Sequence, residues 1–200
     1  MSRHPLVLLQ PLLAALISWG AGPPPTPAAP ANVSSVGVIG GPSEPGRRLT
    51  LTGAVFAPDG VTPAPNVIVY AYQTDADGEY HNDSKGIARL HGWAKTNAQG
   101  RYEFHTIRPG SYPGRSVPAH IHFHIYGGGY PLQWTPDLMF ANDPLLRDAQ
   151  IRESAALGKF ANIQVTNRDS DGVERCSFNI RAASTTNYPA GASTQPDSTR

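Results

Sequence analysis

Through the middle of the chain, apolar and polar positions trade places in short runs that stop at turn-forming clusters. Arg48 to Phe56 alternates and ends at Pro58-Asp-Gly60, and Val67 to Tyr72 ends at Asp75-Ala-Asp-Gly78. Leu90 to Thr96, the turn Asn97-Ala-Gln-Gly100 and Arg101 to Phe104 read as a hairpin. His120 to Tyr126 follows, and Ala161 to Val165 and Cys176 to Ile180 close the set, with Asp169-Ser-Asp-Gly172 as their turn. A helical pattern is confined to 143–157, with Asp143 placed to cap it, Pro144 at its first position and Gly158 just past its end. Short strands at close spacing predict an all-β fold: a β-sandwich of the immunoglobulin or prealbumin type, with long loops and little helix.

The flanks carry no such pattern. Arg3 and His4 precede an apolar stretch, Leu6 to Ile17, that is short for a membrane span and contains Pro11. Residues 1–20 read as a signal peptide, with cleavage after Gly20 or after Ala31; an uncleaved membrane anchor is the competing reading. Residues 21–46 are rich in Pro, Ala, Gly and Ser and read as a tether. The expected sandwich occupies 47–183, and 184–200 offers almost nothing to bury and reads as a disordered tail. The expected location is therefore secreted or periplasmic, with no transmembrane helix in the mature protein.

Composition narrows the classes. A net charge of +1 without a basic cluster argues against a nucleic-acid partner. Twenty glycines and twenty prolines among 200 residues favour turns and loops over long helices. Cys176 is the only cysteine, which excludes an intrachain disulfide; it reads as a buried small hydrophobe rather than a reactive thiol.

Chemistry concentrates in 112–123. On a strand, His120 and His122 share one face while Ile121 and Phe123 take the other, so two imidazoles stand side by side, as a metal site requires. His124 lies on that same face, and a three-histidine zinc or copper site is one possible arrangement. No carboxylate follows at the close spacing of zinc hydrolases, and His124 reads better as a polar lining residue. Tyr80 and Tyr112 both stand beside Gly/Pro turns where sites gather, whereas Tyr72, Tyr102, Tyr126 and Tyr130 read as packing residues.

An ordered series of motifs then adds a resemblance. Gly53-x-Val55, Asp59-Gly60, Pro65-Asn66, Asp75 to Tyr80, Gly92-Trp93-x-Lys95-Thr96 and Gly100 to Phe104 occur in turn. Thr106 to Pro113 and Pro118-Ala-His-Ile-His122-Phe123 complete the series. Together they resemble the intradiol ring-cleavage dioxygenases, the catechol and protocatechuate dioxygenase family, over roughly residues 48–143. The resemblance implies a non-haem Fe(III) cofactor held by Tyr80, Tyr112, His120 and His122. It implies a small aromatic diol and O2 as substrates, intradiol cleavage with both oxygen atoms entering the product, and Tyr112 as the tyrosinate that leaves and takes a proton. The donor types suit that ion, since Fe(III) is hard and highly charged and favours anionic oxygen while tolerating imidazole.

Two positions depart from the family pattern. Val117 stands where many members carry an arginine before Pro-Ala-His, and Asp137 stands where the family has a glutamine. If 115–119 is extended, Arg115 shares a face with Val117 and its longer reach returns a guanidinium to that space, making Arg115 a candidate catalytic residue. The sequence is expected to be without the helical N-terminal domain of catechol dioxygenases, so their dimer contacts are not assumed, and a homo-oligomer is compatible with the sequence. The alternative function is a secreted non-catalytic β-sandwich module binding carbohydrate, cell wall or protein, which a degenerate ligand set would favour.

Overall fold

A computed structural model describes residues 25–114 and 117–187. The expected signal peptide (1–20), Arg115 and most of the expected tail lie outside the described residues. In chain order the strands are β1 (Val36–Val38), β2 (Arg48–Phe56), β3 (Val67–Gln73), β4 (Leu90–Lys95), β5 (Arg101–Ile107) and β6 (His120–Gly127). Then come β7 (Tyr130–Trp134), β8 (Leu138–Phe140), helix α1 (Asp148–Ala156), β9 (Ile163–Gln164), β10 (Asn167–Arg168), β11 (Glu174–Ser177) and β12 (Ile180–Arg181). One sheet runs β1-β5-β2-β11-β10, with β12 also on β2; the other runs β4-β3-β6-β8-β9, with β7 also on β6.

Alternation along the strands makes the sandwich. Val67, Val69 and Ala71 of β3 and Ile121, Phe123 and Ile125 of β6 share one buried cluster with Leu49, Leu51 and Val55 of β2 and Phe104 of β5. Phe123 sits at the centre, with ring centroids 5.3 Å from Phe178 and 6.5 Å from Phe104. Fully burying each such side chain contributes about 1.5–3 kcal/mol. Cys176 is buried in the same cluster, as expected.

Four expectations are revised. Within the stretch read as a tether, Val36–Val38 is a strand paired parallel to Glu103–His105. Gly37 permits it, because a Cβ there would stand 2.5 Å from both the Trp93 carbonyl and the Phe104 ring. The helix begins at Asp148 rather than Asp143, whose carboxylate instead accepts the Leu145 and Ala119 N–H groups at 2.9 and 2.8 Å. Gly158, with φ at 58°, stands just past the α-helix as expected, but it opens a short 3-10 turn, Gly158–Phe160, rather than ending the helical stretch. The run Cys176 to Ile180 is divided between β11 and β12, and the Asp169–Gly172 turn joins β10 to β11. Finally, residues at the start of the expected tail are bound to β7: Asn187 exchanges hydrogen bonds with the Trp134 backbone, at 2.8 and 3.0 Å. No helix among the described residues is long and apolar enough to cross a membrane.

Candidate metal centre

The site is built on the outer face of the second sheet. There β6 presents His120, His122 and His124, opposite in facing to Ile121, Phe123 and Ile125. Antiparallel register sets Tyr72 of β3 against His122 and Tyr70 against His124. The Tyr72 ring stacks on His122 with centroids 4.6 Å apart and planes 18° apart, which fixes that imidazole from one side.

Two loops bring the tyrosines over this face, and Asp75 organises both. Its Oδ1 accepts the Asp77 and Glu79 N–H groups, each at 3.0 Å, and its Oδ2 pairs with His81 at 2.9 Å. The Asp75 carbonyl accepts the Gly110 N–H at 2.7 Å, and the Thr74 hydroxyl donates to the Gly110 carbonyl at 2.8 Å. The loops meet backbone to backbone. A Cβ on Gly78 would lie 2.0 Å from the Ser111 oxygen, and one on Gly110 would lie 2.4 Å from the Ala76 oxygen. Only glycine allows that approach, which is why the Asp-x-x-Gly and Pro-Gly turns accompany Tyr80 and Tyr112.

All four expected ligands converge. The Tyr80 hydroxyl is 2.6 Å from the Tyr112 hydroxyl and 2.8 Å from His122 Nε2. Tyr112 Oη is 3.0 Å from His120 Nε2 and 3.4 Å from His122 Nε2, and the two Nε2 atoms are 3.0 Å apart. The outer partners decide the tautomers. His120 Nδ1 donates to the Pro118 carbonyl and His122 Nδ1 donates to Asp137 Oδ1, both at 2.7 Å. Burial alone would raise the Asp137 carboxyl, but His122, through its attraction and its hydrogen bond, with His120 and His124 adding to it, holds Asp137 below the usual range. In their neutral form both imidazoles therefore present bare lone pairs at Nε2. Two phenol protons cannot satisfy every contact among four such atoms, whereas one cation at the centre serves all four lone pairs. The donor set thus fits a hard, highly charged metal ion.

Burial, reinforced by the neighbouring Tyr112, pushes the Tyr80 phenol far above its ordinary range, so without a cation it is neutral. A bound trivalent ion reverses that preference. His124 stands outside the group of four: it is buried, its Nδ1 meets the Thr26 hydroxyl at 2.7 Å, and burial together with His122 pushes it down to about 3. Among the described residues the His/Cys/Asp/Glu cluster with metal-ligand spacing is His120, His122 and Asp137. Asp137 had been legible only as a departure at one position; its bond to His122 needed the fold.

Beside the tyrosines opens a cleft of about 330 Å³, lined by Tyr70, Tyr72, Tyr80, Tyr112, His122 and Ile87 among others. Tyr72, expected to be a packing residue, is a wall of this cleft, as is Pro25 from the presumed tether. The alternation of β3 held the signal for Tyr70 and Tyr72, since both share the outer face with the histidines across the register. Pro25 carried no such signal.

These features define a β-sandwich protein with a two-tyrosine, two-histidine centre at the mouth of an aromatic-walled cleft. Residues 21–184 match the dioxygenase family model, and the chain belongs to the intradiol ring-cleavage dioxygenase family. It is 32% identical over 163 residues to the protocatechuate 3,4-dioxygenase beta chain of Burkholderia cepacia, covering 65% of this chain and 69% of that one. It is 31% identical over 127 residues to catechol 1,2-dioxygenase 1 of Acinetobacter lwoffii, covering 54% of this chain but only 40% of that one. In structure it is similar to the dioxygenase domain of a dioxygenase carbohydrate-binding protein fusion from Streptomyces sp. SirexAA-E. That match has a TM-score of 0.56 and 28% identity, over 80% of this chain and 92% of that chain.

Proposed function

We propose that this protein is a non-haem Fe(III) enzyme that cleaves a catechol-type ring between its two hydroxyl-bearing carbons and incorporates both atoms of O2. The observation that carries this is the convergence of Tyr80, Tyr112, His120 and His122, with both imidazole protons committed away from the centre. Tyr80, Tyr112, His120 and His122 would hold the ion. When bound, ferric iron would supply a Lewis acid that favours the ionised diol and makes the ring susceptible to O2.

The chain's own side chains do the remainder. Tyr112, on the loop that follows Gly110, accepts a proton from a diol hydroxyl through its phenolate oxygen. Tyr70, Tyr72 and Ile87 offer the ring a flat apolar wall and exclude water from it. The non-catalytic alternative would follow from a degenerate ligand set, and the four side chains instead meet at one point. In the test, iron-loaded protein is given catechol, hydroxyquinol and substituted catechols. Red-brown colour, one O2 consumed per ring and a ring-opened diacid are expected. Colourless protein, or no oxygen uptake across the panel, would sink the reading.

Export belongs to this reading, on the strength of the basic start and the apolar run 6–17. The places of Pro25 and Thr26, one lining the cleft and one bonded to His124, favour cleavage after Gly20 over cleavage after Ala31. N-terminal sequencing of the exported protein should therefore begin near residue 21, and an intact Met1 on a cytosolic protein would refute export.

A further inference from the structure

The two histidines of the centre are held differently from behind. His120 Nδ1 donates to a neutral peptide carbonyl, that of Pro118, whereas His122 Nδ1 donates to the Asp137 carboxylate, both at 2.7 Å. A carboxylate acceptor draws the Nδ1 proton towards itself and leaves more electron density on the far nitrogen than a carbonyl does. We propose that Asp137 is a positioning residue for the metal: it fixes the His122 ring and makes His122 the stronger imidazole donor of the pair. This rests on the functional reading above and extends it to a residue where this chain departs from its family.

Three observations support the assignment over the two rival roles for Asp137. As a metal ligand it would have to reach the convergence point, yet its carboxylate lies on the Nδ1 edge of the His122 ring while Tyr80, Tyr112 and His120 gather at the Nε2 edge. As a substrate-binding group it would be expected among the residues walling the cleft, which include His122 but not Asp137. Its backbone is also pinned. The Asn162 side-chain amide donates to the Asp137 carbonyl at 2.8 Å, and the next residue, Leu138, pairs with Ile121 between the two histidines. Ring stacking by Tyr72 from one face and the carboxylate at Nδ1 together leave His122 one orientation.

The variants Asp137→Asn and Asp137→Ala separate charge from orientation. Asparagine keeps an oxygen acceptor for Nδ1–H and loses the charge, whereas alanine loses both. The measurement is ferric-iron affinity by chelator competition, together with the visible phenolate-to-iron absorption band. The affinity should fall about 10–100-fold in Asp137→Ala and less in Asp137→Asn. The band should move to longer wavelength in both, because a weaker imidazole donor leaves the ion more electron-poor. A parent protein that takes up and is coloured by ferric iron, with affinity and band unchanged in both variants, would overturn this inference alone. A parent that binds no ferric iron would overturn the functional reading and this inference with it.

Discussion

Strand β6 puts two different surfaces on one backbone. Towards the sandwich interior it offers Ile121, Phe123 and Ile125, each 0–1% exposed and surrounded by hydrocarbon. Towards the cleft it offers His120, His122 and His124, each engaged in a polar contact. The period of two that builds the fold on one side builds the site on the other. The inner face is held by apolar packing between strands of both sheets; the outer face is held by hydrogen bonds and ring contacts to side chains that loops bring over it. Damage to the inner face should show as lost stability, and damage to the outer face as lost metal or lost turnover in a folded protein.

The sharpest break of this contrast removes a ligand. His122→Ala should abolish stoichiometric iron binding, colour and ring cleavage while the metal-free protein keeps its sandwich, checked by metal analysis and circular dichroism. Unfolding of the metal-free variant, with the metal-free parent folded, would show that the outer face is part of the core after all. Tyr112→Phe comes next. Without its phenolic oxygen the proton from the diol has no acceptor, so kcat should fall roughly 10²–10⁴-fold with the fold intact, measured by oxygen uptake. On the inner face, Phe123→Ala should cost about 3–5 kcal/mol of stability in denaturant unfolding, while turnover per folded molecule stays near that of the parent.

How much of this was legible in the sequence follows the same division. The inner face was readable because alternation and Asp-Gly turns are local signals, and β2 to β6 fall where those signals place them. The exceptions are long-range. Val36–Val38 is three residues long, and only the close backbone approach at Gly37 makes it a strand. Asp143 looked like a helix cap, but its carboxylate serves Leu145 and the distant Ala119 instead. On the outer face the histidine pair was readable by itself, and Tyr80 and Tyr112 through their motifs. Asp137 and Pro25 were not readable as site residues, because each reaches the centre or its cleft through a fold that brings separate segments together, and the signal for Tyr72 in the alternation of β3 took its meaning only from the register with β6.

The loop junction lets the contrast be tested at its seam. Gly78 has φ at 88°, and a Cβ there would lie 2.0 Å from the Ser111 oxygen. Gly78→Ala should therefore part the two tyrosine loops, at a cost of about 1–3 kcal/mol. It should also weaken iron binding, although Gly78 touches no ligand. Chelator competition checks this, and unchanged affinity would mean the loops do not depend on that approach.

The smallest expected effect is one of pH, and it too distinguishes the faces. The inner cluster has no group that titrates in acid, whereas the outer loops hang on Asp75. Burial alone would raise the Asp75 carboxyl, but the N–H groups of Glu79 and Asp77, with His81, more than offset it, and the net shift is downward. Its folded pKa thus lies below the unfolded value of about 3.9. As acid is added the unfolded chain takes up the proton first, so this contribution to stability is full above that value and is lost as pH falls through the folded pKa. Asp75→Asn removes the titrating group. The gap in melting temperature between parent and variant, both metal-free, should be steady from neutral pH to about 5 and shrink below about 4. A gap that holds constant into strong acid would mean that Asp75 supports the loops without its charge, and that the outer face is as indifferent to pH as the core beneath it.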